Sequence, residues 1–337
     1  MRAGAGPTSG TRPFPAQMHG LTGFVVRRLL LGLVTLFVTS VLIFAATQVL
    51  PGDAARSILG RSATPESLAE LQRQLGLDKP VVTQYWEWIS GVLTGDLGTS
   101  LANGLPVTEV IGERLVYSLF LMLIAAVISV PLGIALGAAS ARRRDSTFDQ
   151  ATSVTTLGLA ALPEFVVGIT LAVVFATTVF QWLPAVAVTE PGVGPWHYPK
   201  ELILPVITLV IAVVPYTARI MRASTVEILE SDFVEMARLK GLPEHRVLWR
   251  HAVPNALAPT FQVTALNLAY LAGGIVVVEA VFNYQGVGLL LVDSVRARDM
   301  PVVQAVALLI AALYVLLNLL ADLATILVSP RLRTSLS

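Results

Sequence analysis

The chain of 337 residues contains no cysteine. Disulfide bonds, thiol catalysis and thiolate metal sites are therefore excluded. Charged residues are also scarce, since Asp, Glu, Lys and Arg make up 13% of the chain whereas hydrophobic residues make up 55%. Soluble domains carry about 25% charged residues. This chain has too little polar surface for a water-soluble globule, and a lipid bilayer is its expected environment.

Several motifs of enzymes and metal proteins are missing as well. The chain has no Gly-x-x-x-x-Gly-Lys-[Ser/Thr] loop, so it cannot cradle the phosphates of ATP by itself. It also lacks Gly-x-Ser-x-Gly and His-Glu-x-x-His, and hydrolase chemistry therefore has no visible nucleophile or metal pair. His245 and His251 lie six residues apart, a spacing that does not place two ligands on one helical face. No metal, no cofactor and no nucleic-acid partner is expected.

What the chain does contain is a series of long apolar runs, at 29–50, 115–139, 151–180, 202–221, 263–282 and 302–328. Each run is long enough to cross about 30 Å of hydrocarbon as a helix. The first is too long for the apolar region of a signal peptide, which spans about 7–15 residues, so a retained helix is preferred to a cleaved signal. We predict an all-α, polytopic membrane protein with about six transmembrane helices.

These runs divide the chain into five parts. The predicted parts are a disordered cytoplasmic tail, a first transmembrane helix, an extracytoplasmic helical loop, a five-helix core and a short cytoplasmic tail, at 1–25, 26–50, 51–112, 113–328 and 329–337. The core includes a cytoplasmic loop at 222–262. With both termini inside, 15 of the 23 Lys and Arg residues fall on the cytoplasmic side, as the positive-inside rule requires.

The inner loop has the pattern of a helix, a glycine turn and a second helix. Asp232 is expected to cap the first helix, with Glu235 three residues later as in a capping box. Gly241 suits the left-handed residue just past the helix end. Pro243 can then open a second short helix that runs to Pro254.

Spacing places Phe233, Met236, Ala237 and Lys240 on one face of the first helix. A short amphipathic helix at the membrane face is suited to docking on a soluble partner. The alternative is a basic loop that only sets the topology, and individual Arg and Lys residues of the loop remain open to that interpretation.

This loop resembles the "EAA" loop of ABC importer permeases. The resemblance rests on Glu235-x-Ala237, three residues, Gly241 and then Pro254. The sequence departs from the family pattern at three positions, Met236, His251 and Val253. In that family the loop forms the coupling helix that sits in a groove on the ATP-binding subunit.

Further segments resemble the first permease subunit of the dipeptide/oligopeptide branch. They include Pro51-Gly52-Asp53, Leu75 to Pro80, Gly95 to Ser100, Glu279, Arg298-Asp299-x-Pro301 and Pro330-Arg331. The resemblance implies the transmembrane-domain fold of type I ABC importers. It implies one half of a translocation pathway for peptides, although nickel chelates, glutathione and haem cross the same scaffold. The implied partners are a second homologous permease, two cytoplasmic ATP-binding subunits or domains, and an extracytoplasmic substrate-binding protein.

Acidic residues within or near the apolar runs are candidates for the pathway. An ionised side chain at mid-membrane costs at least about 2.5–3.5 kcal/mol, so Glu164, Glu279 and Asp322 are expected to face other helices or water. Glu164, its neighbour Phe165 and Glu279 are the candidate pathway residues. For Glu279 and Asp322 a helix-packing role is preferred, whereas for Glu164 both roles stay open.

Two smaller patterns complete the predictions. Tyr85, Trp86 and Trp88 in the outer loop either contact the binding protein or anchor the chain at the bilayer interface. Gly133-x-x-x-Gly137 predicts close helix packing.

Other function classes remain open at this stage. One is a secondary transporter driven by an ion gradient, with Glu164 and Asp322 as proton carriers. Another is a membrane scaffold or enzyme.

Overall fold

The computed structural model describes residues 20–49, 64–74, 78–187 and 192–328. In these ranges the chain is helical, and the only β-type pairing is an isolated bridge between Thr99 and Pro106. The helices are α1 Gly20–Val49, α2 Pro65–Gln74, α3 Val81–Thr94, α4 Val107–Arg142, α5 Thr147–Ala160, α6 Glu164–Ala172, α7 Pro199–Leu229, α8 Asp232–Leu239, α9 Glu244–Phe282, α10 Val287–Ala297 and α11 Met300–Val328. Residues 1–19, the Pro51–Asp53 block, Leu75–Leu77 and the tail at 329–337 lie outside the described residues.

The number of membrane crossings agrees with the prediction. Helices α1, α4, α7, α9 and α11 are each long and apolar enough to span a bilayer, and α5 with α6, bent by 100°, gives a sixth candidate when the pair is counted as one span. Two boundaries differ from the predicted ones. Helix α1 already begins at Gly20 and α4 at Val107, so residues 20–25 and 107–112 are helical. Within the predicted inner segment of 222–262, α7 continues to Leu229 and α9 begins at Glu244.

The single helix predicted over 151–180 is wrong, because the chain breaks between α5 and α6 and turns by 100°. Pro163 lies at the break with an extended backbone, φ −60° and ψ 144°. A proline disfavours the α conformation of the residue before it, here Leu162, and has no N–H to continue the hydrogen-bond ladder. Helix α6 then begins at Glu164 and ends in a π-turn, Val173–Thr177.

The centre of the bundle is the contact between α4 and α7, and it depends on two glycines. A Cβ on Gly133 would lie 2.7 Å from Cβ of Thr217, and a Cβ on Gly137 would lie 2.6 Å from Cβ of Met221. Both distances are too short for real atoms, so only glycine lets the two backbones come this close. The predicted packing role of the Gly133-x-x-x-Gly137 motif is confirmed.

The bundle has two ends, and the first is named here the α8 end. There α4 ends, α5 begins, α7 ends and α9 begins, around the short helix α8. At the opposite end the starts of α4, α10 and α11 share one apolar cluster, which includes Val107, Val287 and Val302.

Helix α1 runs antiparallel to α11 at the side of the bundle. Arg28 forms an ion pair with Asp322 at 3.0 Å near the α8 end, and Gln304 donates a hydrogen bond to Thr47 at 2.8 Å near the opposite end. Helix α1 therefore begins, and α11 ends, at the α8 end. The ion pair agrees with the packing role preferred for Asp322.

Candidate functional site

Helix α8 has eight residues, and its N-terminus differs from the predicted capping box. Ser231 occupies the N-cap position, and its hydroxyl donates to the carbonyl of Ile228 at 2.5 Å instead of accepting from the helix. Asp232 is the first helical residue, and neither it nor Glu235 makes a reciprocal cap. The two carboxylates instead stabilise the positive end of the helix dipole.

The two faces of α8 are also distributed differently from the prediction. Val234 and Ala237 are buried against Val247, which lies in the first turn of α9. Ala237 was predicted on the docking face and therefore lies on the opposite one. Phe233, Met236 and Leu239 are 48%, 54% and 74% exposed, and Lys240 is exposed beside them.

The end of α8 is a Schellman turn. Gly241 has φ +77°, its N–H donates to Arg238 O at 2.9 Å, and the N–H of Leu242 donates to Ala237 O at 3.3 Å. These are the two hydrogen bonds of that motif, and the left-handed conformation favours glycine. A Cβ on Gly241 would meet nothing within 4 Å, so the requirement is conformational and not steric. The predicted left-handed turn is confirmed.

Arg238 ties α8 to both neighbouring membrane helices. Its guanidinium donates to the Glu244 carboxylate of α9 at 2.8 Å and to the Leu229 carbonyl of α7 at 3.1 Å. The predicted second short helix does not stop at Pro254. It passes through a π-turn, Leu248–Ala252, and continues as α9, because Pro254 falls in the first turn after the π-turn, where its missing N–H is tolerated.

A buried ion pair next to α8 was not predicted from the sequence. Asp149 of α5 is nearly inaccessible and accepts two hydrogen bonds from Arg222 of α7, at 2.5 and 2.6 Å. Ser140 of α4 donates to the same carboxylate. Three helices are thereby joined at the α8 end. The Ser146 hydroxyl caps α5 by accepting from the Asp149 N–H, and this local pattern can be found in the sequence. The ion pair cannot be found in this way, because its partner Arg222 is 73 residues away.

The break between α5 and α6 opens into a cavity of about 590 Å³, named here the bend cavity. Its polar lining comes from three elements: Glu164 at the start of α6, Tyr216 of α7, and Asn267 and Tyr270 of α9. Phe165, the neighbouring candidate, is 47% exposed. A second cavity, of about 470 Å³, shares Tyr216 with the first and continues past Arg219 and Ser153.

Glu279, the other acidic residue among the candidate pathway residues, lines neither of these cavities. Its side chain is fully buried and accepts from the Ser118 hydroxyl at 2.5 Å and from the N–H groups of Gly288 and Leu289 at 2.7 and 3.2 Å. The carboxylate sits at the N-terminus of α10, a favourable place for negative charge. This burial and these hydrogen bonds agree with the packing role preferred for Glu279.

The aromatic residues of α3 pack mainly on α1. The Tyr85 hydroxyl lies 2.9 Å from that of Ser40, and Phe44 contacts the rings of both Tyr85 and Trp88. Trp86 is 59% exposed and lines an apolar cavity of about 480 Å³ between α1, α3 and α11. Two of the three residues that the sequence assigned either to binding-protein contact or to interface anchoring therefore pack on α1.

Comparison with known proteins gives the family. Residues 129–334 match the family described as the inner-membrane component of binding-protein-dependent transport systems, and residues 21–122 match the N-terminal part of such components. A "probable peptide ABC transporter permease protein" of Sinorhizobium fredii is 36% identical over 92% of this chain and 99% of its own length. The glutathione transport system permease protein of Escherichia coli is 38% identical over 93% of this chain and 99% of its own length. The chain belongs to the family of binding-protein-dependent transport permeases, and it is a multi-pass inner-membrane transport subunit of an ABC importer.

Proposed function

We propose that this subunit forms half of the pathway of an importer for peptides, and that α8 docks on an ATP-hydrolysing partner. The observation that supports this proposal is that α8 has an exposed apolar face and is held in place by its buried face. Phe233, Met236 and Leu239 expose a cluster of apolar surface, whereas the helix is held from below by Val234 and Ala237. Exposed apolar patches of this kind mark interaction sites.

The hydrogen bonds of Arg238 to α7 and α9 support a coupling role for α8. A partner that moves α8 moves the ends of α7 and α9 with it, because Arg238 joins all three elements. Both α7 and α9 line the bend cavity. ATP-dependent motion of the partner is thereby transmitted to the pathway without any nucleotide chemistry in this chain.

The pathway itself is proposed to run along the bend cavity, against a second homologous permease. Arg219 is exposed on α7 at the second cavity, and an arginine within a spanning helix is expected to face water or protein in preference to lipid. Backbone outside regular helix, as at the α5–α6 break, is likewise tolerated at membrane depth only against protein or water.

Peptides are the proposed cargo, delivered by a substrate-binding protein. One relative is described as a peptide permease and another as a glutathione permease, and glutathione is itself a tripeptide. For the aromatic residues of α3 we propose interface anchoring, because Tyr85 and Trp88 pack on α1.

The docking surface is tested by a double substitution, Met236→Ser with Leu239→Ser, in the co-expressed importer. We expect the permease pair to remain folded, the ATPase subunits to be lost on purification, and ATP-driven uptake of dialanine to stop. Leu105→Ser is the control, since Leu105 is 48% exposed but lies in the loop before α4, at the opposite end of the bundle. Full recovery of ATPase subunits with the double variant would refute the assignment. Uptake by the wild-type permease pair without any ATPase would instead support an ion-driven transporter.

The proposed orientation places the α8 end in the cytoplasm, the side that the positive-inside rule favours for the larger share of the basic residues. The absence of cysteine makes a direct test simple. In intact cells a membrane-impermeant thiol reagent should label Leu105→Cys and leave Lys240→Cys unlabelled until the membrane is opened. The reverse pattern would contradict the orientation.

A further inference from the structure

The bend cavity contains an acidic side chain that the protein leaves unsatisfied. Among the described residues none donates a hydrogen bond to the Glu164 carboxylate or forms an ion pair with it, and a Cβ built on Gly274 of α9 would lie 3.5 Å from one of its oxygens. Its carboxylate gains only the partial charge of the α6 N-terminus.

The depth of Glu164 makes this lack of a partner costly. The break lies beside Tyr216, whose hydroxyl is 3.4 Å from Ala160 O, and Tyr216 lies 13 residues before α7 ends at the α8 end, a rise of about 20 Å along α7. The hydrocarbon core of a bilayer is about 30 Å thick. An ionised carboxylate at such depth costs a few kcal/mol unless a cation or several donors compensate it. A ligand that brings a positive charge would supply that compensation.

The rest of the lining suits a peptide. The side-chain nitrogen of Asn267 is buried and has no hydrogen-bond partner among the described residues, so it is an unsatisfied donor for a carbonyl oxygen of the cargo. Tyr216 makes only a long hydrogen bond of 3.4 Å to Ala160 O, and Tyr270 is 65% exposed. Neutral donors of this kind bind amide groups without selecting a side chain.

A positive group lies farther along the same surface. Arg219 follows Tyr216, which lines both cavities, by three residues on α7, a rise of about 4.5 Å. It has no ion-pair partner in the part of the chain that the structure describes. An extended chain covers about 3.3–3.6 Å per residue, so a dipeptide or tripeptide spans about 7–10 Å. Because the two cavities meet at Tyr216, a short peptide whose amino end lies at Glu164 extends from the bend cavity toward Arg219.

We propose that Glu164 binds the protonated amino terminus of the peptide in transit, with Asn267 on a backbone carbonyl and Arg219 facing the carboxylate end. This proposal rests on the proposed function and adds to it the part of the cargo that the pathway recognises. The recognised cargo is a short peptide with a free amino group, whatever its side chains.

The test uses the reconstituted complete importer with cargo preloaded on its binding protein. Uptake is measured for dialanine, pentaalanine and glutathione, and the one that the wild type takes up fastest is used thereafter. Glu164→Gln is compared with Glu109→Gln, an exposed glutamate in the first turn of α4 that lines neither cavity. The rate of ATP hydrolysis without cargo is recorded for every variant.

We expect Glu164→Gln to slow uptake about tenfold, the effect of losing roughly 1.4 kcal/mol of charge-assisted binding. Cargo-free ATP hydrolysis should not change, and Glu109→Gln should match the wild type in both measurements. Acetylation of the cargo's amino group should slow the wild type by a similar factor, and Glu164→Gln should add nothing further. Arg219→Gln should slow uptake of the peptide with a free carboxylate but not uptake of the same peptide as its carboxyl-terminal amide.

Equal uptake by Glu164→Gln and wild type would overturn the proposal, as would a penalty that persists with acetylated cargo. Loss of ATP hydrolysis together with uptake would assign Glu164 to folding of α6 and would also overturn it. Failure of the wild type to take up any of the three cargos is a different result, because it removes the proposed peptide function itself.

Discussion

Glu279 and Glu164 are both glutamates at membrane-spanning elements, and their surroundings are opposite. Glu279 is fully buried and receives three hydrogen bonds, from Ser118, Gly288 and Leu289. Glu164 lies at a cavity and receives none from the described residues. A satisfied buried charge holds the fold together, whereas an unsatisfied charge at a cavity is available to a ligand. The comparison predicts that substitutions around Glu279 affect stability and that equivalent ones around Glu164 affect transport.

The largest difference in stability is expected between the variants Glu279→Ala and Glu164→Ala. The first leaves two backbone N–H groups and a hydroxyl without partners, at roughly 1–3 kcal/mol for each unsatisfied group. The second removes only a favourable charge at a helix N-terminus, worth about 0.3–1 kcal/mol. Thermal unfolding of the purified permease pair is followed by tryptophan fluorescence. The unfolding temperature should fall strongly for Glu279→Ala and only slightly for Glu164→Ala. Similar shifts for the two variants would remove the distinction.

The glycines beside the two glutamates provide a second pair. A Cβ on Gly288 would collide with the Val276 backbone and lie 2.9 Å from the Glu279 carboxylate, whereas a Cβ on Gly274 would lie 3.5 Å from the Glu164 carboxylate. Overpacking costs about 1–3 kcal/mol, so Gly288→Ala should lower the unfolding temperature and Gly274→Ala should leave it nearly unchanged. If Gly274→Ala proves as destabilising as Gly288→Ala, the bend cavity is more tightly packed than described.

Two hydroxyl groups give a third and smaller contrast. The Ser118 hydroxyl donates to Glu279 and accepts from the Val287 N–H. Ser118→Ala should therefore lower the free energy of unfolding by roughly 1–2 kcal/mol. The Tyr216 hydroxyl makes one long hydrogen bond, and Tyr216→Phe should cost less than about 0.5 kcal/mol. Urea unfolding of the two variants measures the difference. A larger loss for Tyr216→Phe would show that its hydroxyl is structural.

The smallest expected change in stability belongs to Asn267→Leu. The amide nitrogen has no partner to lose, and replacing an unsatisfied polar group by an apolar one is neutral or slightly stabilising. Uptake should nevertheless slow by about threefold to tenfold, because a carbonyl of the cargo loses its donor. Stability should be measured beside uptake in the same preparation, since a fall in both would mean that the amide is part of the fold.

The sequence predicted features that depend on local pattern. Apolar runs located the crossings, Gly241 located the left-handed turn, and Gly133 with Gly137 located the tightest helix contact. Each of these follows from composition or from a few adjacent residues. The "EAA" loop was found in the same way.

Features that depend on distant residues were not predicted. The partners of Glu279 lie 161 residues before it and in the following helix, and Asp149 meets Arg222 across 73 residues. The long apolar run at 151–180 concealed the break at Pro163, because apolarity measures burial in lipid and not helix continuity. Ala237 was placed on the wrong face of α8 since both faces of so short a helix are apolar, and only the position of Val247 decides which is covered.

The three-way attachment of Arg238 has a mechanical consequence. One guanidinium on α8 donates two hydrogen bonds to Glu244 at the start of α9 and one to Leu229 at the end of α7, so a swivel of α8 against either neighbour breaks at least one of them. Probes placed on α8 and at the base of α9 should keep a constant separation throughout the turnover cycle. A probe on α8 paired with one on α1, which packs chiefly against α11 at the side of the bundle, should report a changing distance.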